Sequence, residues 1–159
     1  MSRLDYLSEN TLVDRIKYLS QQLEEIKTLQ TVNSEIIIPV TAQWTGNWTD
    51  SSSYVNLVPS RGVINFDAYA NYSLYFECLM FTDAGTGYLR LYNDTDSTAF
   101  ASSELSTTAV GESNAVLLRS GELTKPTGIK TIRIQGKQTG GAGKNVNCMI
   151  GRMVFKIGT

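Results

Sequence analysis

Gly87-Tyr-Leu-Arg-Leu-Tyr92 is the stretch whose reading decides the fold. Leu89 and Leu91 alternate with Tyr88, Arg90 and Tyr92, so an extended chain sends the leucines to one side and the polar-tipped residues to the other. A helix would scatter the same residues around its axis. Ile129-Lys-Thr-Ile-Arg-Ile-Gln135 repeats the pattern, with Ile132 and Ile134 set against Thr131 and Arg133. One dry face and one wet face are the mark of an antiparallel strand over a core.

Outward from these two runs, strand signals recur at Glu35–Thr41, Tyr54–Val58, Val63–Phe66, Tyr72–Phe81, Ala115–Arg119 and Val146–Ile157. Turn chemistry separates them at Gly85-Thr-Gly87, Asn93-Asp-Thr-Asp96 and Gly140-Gly-Ala-Gly143. About eight strands with no helical pattern between them predict a mainly β fold, an antiparallel sandwich of jelly-roll type. Pro39 marks an edge or a strand start, because proline cannot donate to a ladder.

The N-terminal segment has a different texture. Leu12, Ile16, Leu19, Leu23 and Ile26 fall alternately four and three positions apart and read as d, a, d, a, d of a heptad seam. Helix initiation is expected at Ser8 or Asn10, with Glu9 and Asp14 favouring the positive end of the dipole. The sequence therefore predicts an α-helical coiled coil over residues 1–33, an oligomerisation segment, ahead of a β-sandwich head over residues 34–159. So few heptads gain most of their stability from packing, which requires a partner helix or this chain's own sheet. The seam leaves dimer, trimer and tetramer open.

Composition narrows the function. Lys and Arg total 14 against 15 for Asp and Glu, a formal charge of −1, which disfavours generic nucleic-acid binding and attraction to anionic lipid. No apolar run reads as a secretory signal or a membrane span. Histidine is absent, which removes Ser-His-Asp and Cys-His systems and the commonest zinc and iron ligands. Cys78 and Cys148 lie within apparent strands and read as buried reduced thiols, with a mutual disulfide as the alternative.

The candidate site is aromatic. Trp44, Trp48 and Tyr54 in a polar stretch offer flat apolar faces for sugar rings, with Asn47, Asp50 and Ser51 able to bond hydroxyls. The competing reading puts the indoles over the sandwich end or at a subunit interface. Asn93–Ser97 has the alternating oxygens of a calcium loop but lacks its glycine and distal glutamate, so it reads as a turn. Gly140–Lys144 has Gln138 and Asn145 where a phosphate loop needs Gly and Ser or Thr, and reads as a hairpin loop. The sequons at Asn47, Asn71 and Asn93 arise readily by chance in a chain this rich in Asn, Ser and Thr. Glu77, Asp83, Asp94, Asp96, Glu104 and Glu112 stand in no diagnostic catalytic context. No enzyme activity, cofactor or metal is expected.

A short heptad segment leading into a small β-head, with runs such as Gly87–Asp96, Ser102–Ser106, Leu117–Gly121 and Lys130–Ile134, resembles bacteriophage and prophage virion appendages. The resemblance implies a non-enzymatic structural protein at the virion surface, assembled in the host cytoplasm: a head fibre, a capsid decoration or a tail receptor-binding protein. It implies a homotrimer, other virion proteins as partners and a host-surface glycan as ligand. The alternative is a carbohydrate-binding module of a bacterial surface assembly.

Overall fold

A computed structural model describes residues 15–24, 35–41, 47–58 and 60–157. Contacts divide the chain into two units, Met1–Ser34 and Glu35–Thr159. In the first, residues 15–24 are helical and carry the middle of the seam. Ile16, Leu19 and Leu23 are 57%, 59% and 53% exposed, whereas Leu12 and Ile26 lie outside the described residues.

The second unit is mainly β. Its strands are β1 (Glu35–Thr41), β2 (Trp48–Thr49), β3 (Val55–Asn56), β4 (Gly62–Asn65), β5 (Tyr72–Thr82), β6 (Gly87–Asn93), β7 (Thr98–Ala99), β8 (Leu105–Thr107), β9 (Val116–Arg119), β10 (Ile129–Gln138) and β11 (Val146–Ile157). Sheet A runs β1-β11-β5-β9, with β2 also on β11; sheet B runs β3-β10-β6-β7, with β4 also on β10 and β8 on β6. Every pairing between named strands is antiparallel. The first strand thus pairs with the last, β3 and β4 with the next to last, β5 with β9, and β6 with β7 and β8. That is one long hairpin rolled so that successive pairs alternate between two sheets, the jelly roll. Its tip is the turn after Asn93. Gly140–Lys144, by contrast, carries the chain from sheet B to sheet A and is not a hairpin.

Alternation fills the space between the sheets. Phe76, Cys78, Met80, Met153 and Phe155 come inward from sheet A, and Leu89, Leu91, Ile132 and Ile134 meet them from sheet B, all fully buried. A β-bulge between Cys148 and Ile150 resets the phase of β11, so that Gly151 also points inward. A Cβ there would stand 2.1 Å from Ile134 Cδ1 of the other sheet, and one at Gly136 would stand 3.1 Å from Leu57 and 3.2 Å from Leu89. These glycines let the sheets close. Both cysteines are free and buried, and burial pushes the Cys148 thiol up to about 12 and Cys78 well above its ordinary value, so neither is a ready nucleophile.

Three strands were too short to show in the sequence, namely β2, β7 and β8. Where they fall short of a full ladder, serine hydroxyls take over. Buried Ser60 accepts from the Ile134 N–H at 3.1 Å and donates to the Leu57 carbonyl at 2.6 Å, bridging the gap between β3 and β4. Ser103 does the same between β7 and β8, accepting from Leu91 N–H at 3.1 Å and donating to Phe100 O at 2.8 Å. Each edge of sheet B is therefore interrupted, which also blunts edge-to-edge pairing.

Gly151→Ala is predicted to destabilise the head by ~1–3 kcal/mol through overpacking against Ile134. Ser60→Ala is predicted to cost ~1–3 kcal/mol, because the Ile134 N–H would be buried without an acceptor. Urea denaturation midpoints measure both.

Candidate functional site

Alternation gives the outer face of sheet B a definite chemistry. The register pairs Tyr92 with Arg133, Arg90 with Gln135 and Tyr88 with Lys137 across β6 and β10, and Gln135 with Asn56 across to β3. While Leu89, Leu91, Ile132 and Ile134 point into the core, these outward partners form a ladder of phenols, amides and cations.

Tyr54 locks one end of the ladder. The Arg90 guanidinium lies 3.6 Å from its ring centroid and Lys137 Nζ 4.5 Å from it, with Lys137 also 4.6 Å from the Tyr88 centroid. Such cation–π contacts are worth about 0.5–1 kcal/mol each at exposed sites. The Tyr54 hydroxyl donates to Glu104 Oε2, and Lys137 Nζ is 3.8 Å from the same carboxylate. Burial, and then the bond to Glu104, push the Tyr54 phenol well above its ordinary value.

Arg90 is held on a second side. Its Nε and Nη2 donate to Gln135 Oε1 at 3.0 and 2.8 Å, and Gln135 Nε2 donates to Asn56 Oδ1 at 3.0 Å. Tyr54 stands against the guanidinium, and Gln135 holds its Nε and Nη2 edge. Further along, Arg133 Nε donates to Asp94 Oδ2 at 2.6 Å, and Lys130 Nζ is 2.7 Å from Asp96 Oδ2. Those two cations are neutralised. The pair formed by Arg90 and Lys137 faces the single carboxylate of Glu104.

Of the three residues expected to form one aromatic site, Trp48 and Tyr54 are not brought together. Trp48, 51% exposed, lies on β2 and pairs with Asn147 of β11, facing outward from sheet A. Tyr54 packs on sheet B, with one ring face covered by Arg90. Trp44 lies outside the described residues. Of the three sequons, Asn47 is buried and donates to Thr41 Oγ1, Asn93 is buried at the start of the tip turn, and Asn71 is exposed. Sequence reasoning placed Tyr88, Arg90 and Tyr92 on a wet face but did not single them out. The available signal was two tyrosines and an arginine alternating on a strand that ends at a tight turn.

The other candidates resolve into structural roles. In the tip turn Asp94 is taken by Arg133, Asp96 by Lys130 and Asn93, and Thr95 Oγ1 by the Thr131 N–H at 2.8 Å, which makes the oxygens props of the hairpin. A cleft of about 220 Å³ beside this turn is lined by Asp96, Phe100, Lys125 and Pro126 among others. Its Lys125 ammonium is already spent on the carbonyls of Tyr69, Ala70 and Tyr72. Gly140 packs against the Ala84 carbonyl, where a Cβ would come within 2.3 Å, so its glycine is required for packing. Asp83 accepts from the Asn145 N–H and side chain at 3.0 and 2.9 Å. Among the described residues no group of three or more Cys, Asp or Glu is placed to hold a metal ion.

Sheet A presents a contrasting outer face. Glu77, its side chain 4% exposed, is gripped by Arg119 and Arg152, and Arg119 Nη1 reaches Glu35 Oε1 at 2.7 Å. The arginine bond holds the Glu35 carboxyl below its ordinary value. The register sets Val154 between the row of Glu77 and the row of Glu35, beneath this ionic strap, and Val154 is fully buried although its alternation points outward. Leu117, Ile150 and Trp48 are exposed beside it.

No family model and no curated protein matches the chain. Several solved structures are similar. The C-terminal CBM6 of LamC, a laminarinase from Zobellia galactanivorans, shares 14% identity over 77% of this chain and 99% of its own, with a TM-score of 0.49. A CBM36 carbohydrate-binding module in complex with calcium and xylotriose shares 13% over 76% and 88%, with a TM-score of 0.46. VP2 of the infectious bursal disease virus subviral particle shares 14% over 79% of this chain but only 33% of its own, with a TM-score of 0.41. The jelly-roll assignment rests on the pairing order above, and the functional reading on the side chains of sheet B.

Of the eight tyrosines, Tyr54 is predicted to be held protonated by burial and Glu104 as pH rises above 10. A phenol whose folded value is raised adds stability that is complete below the unfolded value and is lost as pH climbs through the folded one. Alkaline titration followed by phenolate absorbance should therefore show a late-ionising tyrosine, absent from Tyr54→Phe.

Proposed function

We propose that the β-domain is a non-catalytic saccharide-binding head that uses the outer face of sheet B. The observation that carries the reading is the interlocked set of Tyr54, Arg90, Gln135, Asn56, Lys137 and Tyr88, held in place before any ligand arrives. Sugar recognition needs flat faces for the C–H side of the ring and fixed donors and acceptors for its hydroxyls. Tyr88 and Tyr92 supply the first, about 14 Å apart along β6, a span for a short oligosaccharide. Arg90 and Asn56 supply the second, both braced by the buried amide of Gln135, and these bonds reduce the side-chain entropy lost on binding.

The head is proposed to act in copies. Ile16, Leu19 and Leu23 on one stripe of the described helix favour this, and completing the seam with Leu12 and Ile26 gives a coiled-coil segment ahead of the head. Several weak sites on one axis bind a multivalent surface far more tightly than one does. The setting proposed for such an assembly is a phage or prophage virion appendage, a homotrimer joined to other virion proteins and holding host-surface glycan. A capsid-decoration role would use the same stalk and show binding only to the assembled lattice.

A glycan array probed with the full chain tests the reading. Binding to at least one saccharide class is expected, weakened at least about tenfold, or ~1.4 kcal/mol, by Tyr88→Ala in a protein that still melts cooperatively. Unchanged binding would remove sheet B from the account. Light scattering of the full chain is expected to give a trimer mass, and Leu19→Asp with Leu23→Asp is expected to shift it toward monomer. A monomeric full chain would contradict the stalk.

A further inference from the structure

We infer that the saccharide read by sheet B carries an anionic group, a carboxylate or a sulfate, seated on the free edge of Arg90; this rests on the saccharide-binding reading above. Both bonds from Arg90 to Gln135 use its Nε and Nη2, and among the described residues Nη1 has no acceptor and the guanidinium has no carboxylate partner. A guanidinium presents a planar fork whose Nη1–Nη2 edge matches two oxygens of a carboxylate or sulfate. Here the fork is fixed beforehand. Two bonds to Gln135 hold its Nε and Nη2, the Tyr54 ring stands 3.6 Å from its carbon, and the Tyr54 hydroxyl is itself anchored by Glu104.

Charge points the same way. Along this face Arg133 is matched by Asp94, and at the end of β10 Lys130, in the inward phase of Ile132, is matched by Asp96, so neither cation is left over for a ligand. Among the described residues around Tyr54 the carboxylate is Glu104, which Lys137 approaches loosely at 3.8 Å and Arg90 does not pair with. One positive charge is left over, on an otherwise uncharged platform of phenols and amides, in a chain whose overall charge is −1. A ligand supplying one negative charge close to stacking surfaces completes the set. A nucleic-acid strand would instead need a track of unneutralised cations for successive phosphates, and Arg133 and Lys130 do not supply it.

Three probes separate the components: an oligogalacturonate, its methyl ester as the neutral form of the same backbone, and a sulfated oligosaccharide such as a chondroitin sulfate fragment. Titration calorimetry with the full chain is expected to show the oligogalacturonate or the sulfated oligosaccharide bound at least tenfold more tightly than the methyl ester. The preference should shrink as salt rises, and Arg90→Gln should reduce the ratio to within about twofold. If Arg90→Gln fails to fold, Lys137→Gln tests the same surplus charge and should reduce the ratio in part. Binding of the ester as tightly as both the oligogalacturonate and the sulfated oligosaccharide overturns this inference and leaves saccharide binding standing. Binding of none of the three, together with an empty glycan array, overturns both. Tighter binding of a single-stranded oligonucleotide than of every saccharide also overturns it.

Discussion

The distance between the two sheets is set where β11 crosses β10, and the rest of the head depends on that approach. Gly151 leaves the space that Ile134 occupies, and Gly136 makes room for Leu57, Leu89 and Thr49 from the other side. Interiors are close-packed, so a sheet spacing fixed at these notches also fixes which residues face out along β6 and β10. The β-bulge at Cys148 and Ile150 is part of the same device, because without it Gly151 would point outward. Arg90, Tyr88 and Lys137 are outward-facing because Leu89, Leu91 and Ile134 have nowhere to go but in.

The two outer faces then divide. Sheet A closes its own face with an ionic strap, in which Glu35, Arg119, Glu77 and Arg152 come from all four strands of the β1-β11-β5-β9 order. Glu77 is buried there with both oxygens matched, the condition under which a buried carboxylate is tolerated. Sheet B leaves its face unfinished. Its polar groups bond one another laterally, from Asn56 through Gln135 to Arg90, and end on a guanidinium edge that has no acceptor among the described residues. A face whose side chains are ordered but whose charge is unmatched differs from an ordinary solvated surface, where side chains pair or move freely.

Much of the fold was legible because its long strands separate two chemistries. Glu35–Thr41 and Val146–Ile157 have the ends read from the sequence, and Leu89, Leu91, Ile132 and Ile134 are core as their alternation required. The short strands were illegible for a physical reason. At β7 and β8 the ladder is only two or three residues long, and Ser103, a turn-forming residue in any propensity scale, completes it from a loop. The site was less legible. Trp48 and Tyr54 are close in sequence and were grouped together, yet between them the chain leaves sheet A for sheet B. The partners that give Tyr54 its role are distant in sequence, with Glu104 fifty residues away. Only the rolled hairpin, which brings β3, β6, β8 and β10 into one sheet, places them side by side.

The most direct measurement is amide chemical-shift mapping of the full chain during titration with a saccharide it binds. The account predicts that the perturbed amides cluster on β6 and β10, centred on Tyr88, Arg90, Gln135 and Lys137, and extend to Tyr54 and Glu104. Perturbations centred on Trp48, Leu117 and Ile150, with sheet B unmoved, would contradict it and transfer recognition to the outer face of sheet A.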